Sequence, residues 1–152
     1  MDDSFSFSVT GASILDIPEI MEVGKKWIAD LPFDPDFDML EKNLFDCITE
    51  DNNKACVILA KTDDKIIGVI ICYTSLHQLF KGKLVAQEPL WLVVKEYRGY
   101  GVAEKLLSLY EEWSNMVGCS TVFCGSFLRM DNKMLESKGY SVIGTNYMKE
   151  LK

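Results

Sequence analysis

The chain has one histidine, His77, and four prolines among 152 residues, and its five cysteines (Cys47, Cys56, Cys72, Cys119 and Cys124) include no Cys-x-x-Cys pair. An odd, scattered set argues against a disulfide framework or a zinc site, so thiols packed as small apolar side chains are expected, and no metal. Basic residues are also scarce: 16 Lys and Arg stand against 23 Asp and Glu, a formal charge of −7. That balance argues against a nucleic-acid partner, which needs cations for its phosphates, and it would attract cationic amines. Long apolar runs are missing too. Stretches such as Ile66 to Cys72 fall far short of the roughly 20 residues of a membrane span, and the start Met1-Asp2-Asp3 does not resemble a signal peptide. A cytosolic protein with no membrane association is expected. The length, with 48% hydrophobic and 26% charged residues, suits one domain over 1–152.

What the chain does have is concentrated between Leu90 and Leu107, LWLVVKEYRGYGVAEKLL. An apolar run ends at Lys95 and Glu96, a loop carries Gly99 and Gly101, and an amphipathic segment continues to about Met116. The pattern predicts strand, glycine loop, helix. Glycines let the backbone approach an anion, and the free N–H groups of the helix's first turn point at it. A phosphate is expected there, with Lys95, Arg98 and Lys105 close by. Two nucleotide devices do not fit. A P-loop needs Gly-Lys-Ser/Thr where Val102 and Ala103 stand, and a dinucleotide fingerprint needs a third glycine where Glu104 stands.

The run Arg98-Gly99-Tyr100-Gly101-Val102-Ala103 resembles the Arg/Gln-x-x-Gly-x-Gly/Ala signature of the GCN5-related N-acetyltransferase (GNAT) superfamily. The resemblance spans Ser4 to Leu151 in element order. It implies an α/β (α+β) fold, with a mixed, mostly antiparallel sheet of six to seven strands and about four helices on both faces. The central strands would splay at the CoA site. It further implies acetyl-CoA as acyl donor, cradled by Arg98, Gly99, Tyr100, Gly101, Val102 and Ala103, with Val93 and Val94 offering backbone groups to the pantetheine arm. The acceptor would be a primary amine on a cationic small molecule or a protein, and the protein a monomer or homodimer. The segments Val85 to Glu88 and Glu96 to Gly99 also look like small acetyltransferases of bacteriophages.

Along the chain, Phe5 to Val9 alternates as a half-buried strand, and Asp16-Ile17-Pro18-Glu19 reads as the capped start of a helix to about Ala29. A turn-rich link, Leu31 to Asp38, leads to a helix over Phe37 to Thr49. In the superfamily this region shapes the acceptor site, so Phe33, Asp34 and Asp36 become candidate substrate contacts, the alternative being a solvated loop. The runs Ala55 to Ala60 and Lys65 to Tyr73 predict a hairpin, with Gly68 marking a bulge or a close approach. His77 follows in a loop, where a structural role outweighs a catalytic one.

A strand over Leu84 to Val94 holds Glu88 within VAQEPLWLVV, a costly place for a carboxylate. Pro89 cannot donate to the ladder and suggests a bulge that aims Glu88 into a site. By the resemblance, this strand can carry the general base. Glu88 is therefore a candidate base, with a substrate-orienting or purely structural acid as alternatives. Cys124, on a strand over Thr121 to Ser126, has no base assigned to it by sequence and is not expected to carry a covalent intermediate.

The ending Met134-Leu135-Glu136-Ser137-Lys138-Gly139-Tyr140 resembles the family's Leu-Tyr-Glu-Lys-Leu-Gly-Phe, but Leu135 stands where the family often has the tyrosine that protonates the leaving thiolate. Tyr140 or Tyr147 could serve instead, or water could, or catalysis has been lost and the chain is a CoA-binding or interaction module. Tyr140 to Leu151 is expected to form the closing strand or strands.

Overall fold

A computed structural model describes residues 5–29, 34–79, 82–125, 132–144, 147–149 and 151. Its sheet runs in chain order, β1 (Ser8–Gly11), β2 (Ala55–Thr62), β3 (Lys65–Leu76), β4 (Leu84–Val93) and β5 (Thr121–Val122). The first four strands pair antiparallel, and β4 pairs parallel to β5. The helices are α1 (Ile17–Ile28), α2 (Phe37–Thr49), α3 (Val102–Met116) and the short α4 (Asn132–Ser137). The fold is α+β as expected, with five strands among the described residues in place of six or seven. Residues 140–144 and 147–149 carry no strand, because a closing strand needs a template and β5 offers only two ladder positions.

Period-two alternation assigns the two faces. Ile58, Ala60, Ile70, Cys72, Trp91 and Val93 pack under α3, while Val57, Leu59, Val69, Ile71 and Leu92 pack against α1 and α2. With helices on both sides, β3 is buried on both faces from Ile66 to Cys72, which is why it reads as an unbroken apolar run. Asp16 does not cap α1 with its side chain. Its carboxylate accepts from Ser13 N–H at 2.8 Å and pairs with Lys61 at 2.7 Å, while Glu19 accepts from Ile66 N–H at 2.7 Å, tying α1 to the hairpin.

Two expected irregularities are present. The β2–β3 register shifts between Ala60 and Lys61 beside Gly68, and a Cβ on Gly68 would come within 3.0 Å of Val102 and Leu106 side-chain atoms of α3. Gly68 is thus the close approach that seats α3 on the sheet. Gly68→Val should destabilise the fold by about 1–3 kcal/mol, read as a lower urea midpoint at unchanged m-value. The second irregularity lies in β4: Ile71 pairs Leu90 and Tyr73 pairs Gln87, so Glu88 and Pro89 oppose the single residue Cys72. That bulge makes the site.

Candidate active site

Parallel pairing between β4 and β5 is brief. Ser120 N–H donates to Leu84 O and Phe123 N–H to Ala86 O, both at 2.9 Å. The next rung would run from Gly125 N–H to the carbonyl of Glu88. At the bulge the Glu88 side chain fills that role, with Oε1 accepting from Gly125 N–H at 2.6 Å. The described backbone ladder between the two strands ends here.

Beyond the bulge the alternation of β4 is reversed. Val94 N–H donates to Ile67 O of β3 at 2.8 Å, so the backbone of Val93, and of Trp91 two residues earlier, faces the edge away from β3, where no described residue pairs with it. Of the two valines expected to serve a pantetheine arm, Val93 faces the opening and Val94 is engaged by β3; Trp91 is the second open position. Sequence reading missed Trp91 because the extra residue at the bulge inverts the parity. Val93 O accepts from Arg98 Nε at 3.0 Å, so Arg98 braces the end of the strand.

The opening leads to the glycine loop. Gly99 and Gly101 have φ of 87° and 83°, left-handed values that disfavour any side chain, and a Cβ on either would meet no atom within 4 Å. Gly101 caps α3: its carbonyl accepts from Lys105 N–H at 3.0 Å, and the N–H groups of Val102, Ala103 and Glu104 lie in the first turn, where no helical acceptor exists. Open space over unpaired N–H groups, with exposed Lys95, Arg98 and Lys105 beside it, suits a pyrophosphate. These residues fit acyl-CoA. The loop is held from behind by the N-terminal segment, where Phe5 stacks on Tyr97 (centroids 5.7 Å apart) and packs against Tyr100 (4.7 Å). That contact explains why the first strand starts at Ser8, later than the alternation from Phe5 suggested.

Glu88 is only 5% exposed, and its Oε2 is buried with no hydrogen-bond partner among the described residues. Burial raises its pKa to about 8, partly offset by the Gly125 N–H bond. Cys72, Tyr110 and Cys124 surround it closely enough for each to feel its charge. A carboxyl so placed has one oxygen pinned and one unsatisfied, and its raised pKa suits a proton acceptor.

The remaining candidates are more scattered. Tyr140 donates to Glu111 Oε1 at 2.8 Å, whereas Tyr147 is 93% exposed. Asp36 N-caps α2, its Oδ1 accepting from Met39 N–H at 2.9 Å; Asp34 is exposed, and Phe33 lies outside the described residues. His77 stacks on Phe123 with centroids 5.5 Å apart, and its Nδ1 accepts from Leu79 N–H. Leu135 is half-buried against the α3 face of the core. The described part of the Thr121 to Ser126 segment is a strand only at Thr121 and Val122, and Cys124 lies beyond it. Among the described residues no cluster could hold a metal ion, and no helix is long and apolar enough to cross a membrane.

A parallel strand pair that opens beside a glycine-capped helix, with a buried carboxyl at the apex, defines an acyl-CoA-dependent transferase fold. The pattern of the acetyltransferase (GNAT) family matches residues 22–134, and the chain belongs to that family of N-acetyltransferases. Solved structures agree at the level of fold. The ribosomal-protein-alanine N-acetyltransferase from Brucella melitensis biovar Abortus 2308 superposes with a TM-score of 0.72 at 16% identity, covering 97% of this chain and 100% of that one. Glucosamine-6-phosphate N-acetyltransferase from Arabidopsis thaliana gives 0.73 at 16% identity with 97% and 100% coverage. AAC(6')-Iy, in complex with the bisubstrate analogue CoA-S-monomethyl-acetylneamine, gives 0.75 at 15% identity with 97% and 99% coverage. No curated protein sequence matches the chain.

Proposed function

We propose that the protein transfers the acetyl group of acetyl-CoA to a primary amine by direct attack in a ternary complex, with Glu88 as general base. The observation that carries this reading is the continuity of the site. The glycine cradle, the open backbone edge at Trp91 and Val93, and the free oxygen of Glu88 follow one another along β4. The phosphates fall to Arg98, Gly99, Tyr100, Gly101, Val102 and Ala103, and the pantetheine arm to the open strand edge. Glu88 removes a proton from the ammonium, the nitrogen lone pair forms the C–N bond, and the C–S bond breaks as thiolate leaves.

The acceptor is a cationic amine. The formal charge of −7 supports this. So does the range of amines named for structures of similar fold, which includes a ribosomal-protein alanine, glucosamine 6-phosphate and aminoglycosides. Phe33, Asp34 and Asp36, which precede α2 in the sequence, are the proposed acceptor contacts, and Tyr140 or Tyr147 the proposed proton donor to the departing thiolate.

Calorimetry with CoA and acetyl-CoA, followed by thiol detection over cationic small amines and peptides ending in lysine or a free N-terminus, tests the proposal. Binding with thiol release that depends on one class of amine is expected. A second reading, a non-catalytic CoA-binding module, draws on Leu135 in place of the family's usual acid. Tight binding without thiol release for any amine would establish it.

A further inference from the structure

A loop with two left-handed glycines loses more freedom than most when it is fixed in one shape. Gly99 and Tyr100 make no backbone–backbone hydrogen bond among the described residues, so the cradle does not fix itself from within. A support comes from the other edge of the sheet. The register sets Val9, Ala60, Gly68 and Val93 in one row across β1 to β4. Three strand spacings separate Val9 from Val93 by about 14 Å, and four residues of extended chain span about 13 Å, so Phe5 can reach the loop that follows β4. Its ring lies 5.7 Å from that of Tyr97, which ends the turn before the loop, and 4.7 Å from that of Tyr100, which separates the two glycines. Phe7 backs the Phe5 ring at 5.9 Å, and Ser6 O accepts from Thr62 Oγ1 of β2 at 2.7 Å. The segment is thus tied to the sheet just after Phe5.

We infer that Phe5 is a positioning residue for the acyl donor: it holds Tyr97 and Tyr100, and through them the two glycines, in the shape that receives the phosphates. This rests on the phosphates lying over the cradle. Phe5 acts through the loop and need not touch the donor. A loop ordered in advance binds more tightly, because less freedom is lost when the ligand arrives. The effect is confined to donor affinity, since Glu88 and the open edge at Trp91 and Val93 belong to β4, which β3 holds in place. Coupling of this kind is reciprocal, so a bound donor steadies residues 5–7 in turn.

Calorimetry with CoA and acetyl-CoA and steady-state kinetics, run below the unfolding temperature of each variant, test the inference. Phe5→Ala should weaken both ligands by the same factor, about tenfold for two lost ring contacts, and raise KM for acetyl-CoA alike, with kcat at saturating donor unchanged. Phe5→Tyr keeps a ring at that position and should restore affinity. Thr62→Val lies on β2 and removes only the tie to Ser6, so it should weaken binding about two- to threefold. In hydrogen–deuterium exchange of the wild type, saturating CoA should slow the amides of Ser6 and Phe7. Wild-type affinity in Phe5→Ala, alongside binding lost in Gly101→Glu, would overturn the inference and leave the cradle intact. Should Phe5→Ala fail to fold, wild-type affinity in Thr62→Val would overturn it instead. A fall in kcat at unchanged affinity would also overturn it, and failure of the wild type to bind CoA would remove the cradle and the inference together.

Discussion

Glu88→Gln should lower kcat by about 10²–10⁴-fold while leaving CoA affinity close to wild type, as loss of a general base does. Glutamine keeps the volume and can still accept from Gly125 N–H, but it has no basic oxygen. In the wild type, kcat/KM should rise with pH through about 8, the value to which burial brings the free carboxyl, and this rise should be absent from whatever activity the variant retains. The same group makes a thermodynamic prediction of definite sign. Its pKa is near 4.5 unfolded and about 8 folded, so between these values the folded protein holds a proton that the unfolded chain has lost. Wild-type stability therefore falls as pH rises across that window, and the full cost is present above it. Glu88→Gln cannot ionise, so its stability relative to wild type should climb by up to a few kcal/mol between pH 5 and 9. Denaturant titrations at the two ends measure it. A constant difference would mean that the carboxyl is not desolvated as described.

Gly101→Glu should abolish CoA binding, with calorimetric affinity weakened at least about a hundredfold. Three effects act together. The new residue must hold φ near 83°, which costs of order 1 kcal/mol or more outside glycine. Its side chain points into the open space that the phosphates would occupy, and its charge opposes theirs beside the helix N-terminus. Gly101→Ala separates these effects, since it shares the backbone strain without the charge. A smaller loss for alanine than for glutamate would locate the anion over the cradle, whereas full affinity in both would remove the phosphate from this loop.

Much of this site was legible because each part violates a local rule. Glycines at two left-handed positions, and an acid followed by proline in an apolar strand, have no use in an ordinary strand and helix. The element order was readable for the same reason that β3 was: burial on both faces leaves a continuous apolar run. Features that depend on distant partners were not legible. The outward pairing of Tyr140 with Glu111 joins residues 29 apart in sequence, and the orientation of Val93 against Val94 turns on one extra residue in the register. Asp36 lies between the two cases. The sequence offered it as a substrate contact or a solvated loop residue, and the structure shows it also capping α2. Among the described residues no closing strand appears, and β5 there offers a ladder of two positions.

That short ladder also governs how the molecule breathes. β4 is held to β3 along most of its length but to β5 at two positions, so β5 can detach without disturbing the antiparallel core. In hydrogen–deuterium exchange the amides of Ser120, Phe123 and Gly125 should lose protection through a local opening, well before those of β2 and β3, which await global unfolding. The half of the cleft nearest Glu88 is therefore the compliant half. A substrate that closes on it would draw its binding-linked ordering from β5, while β4 stays fixed as the rail along which the acyl donor lies.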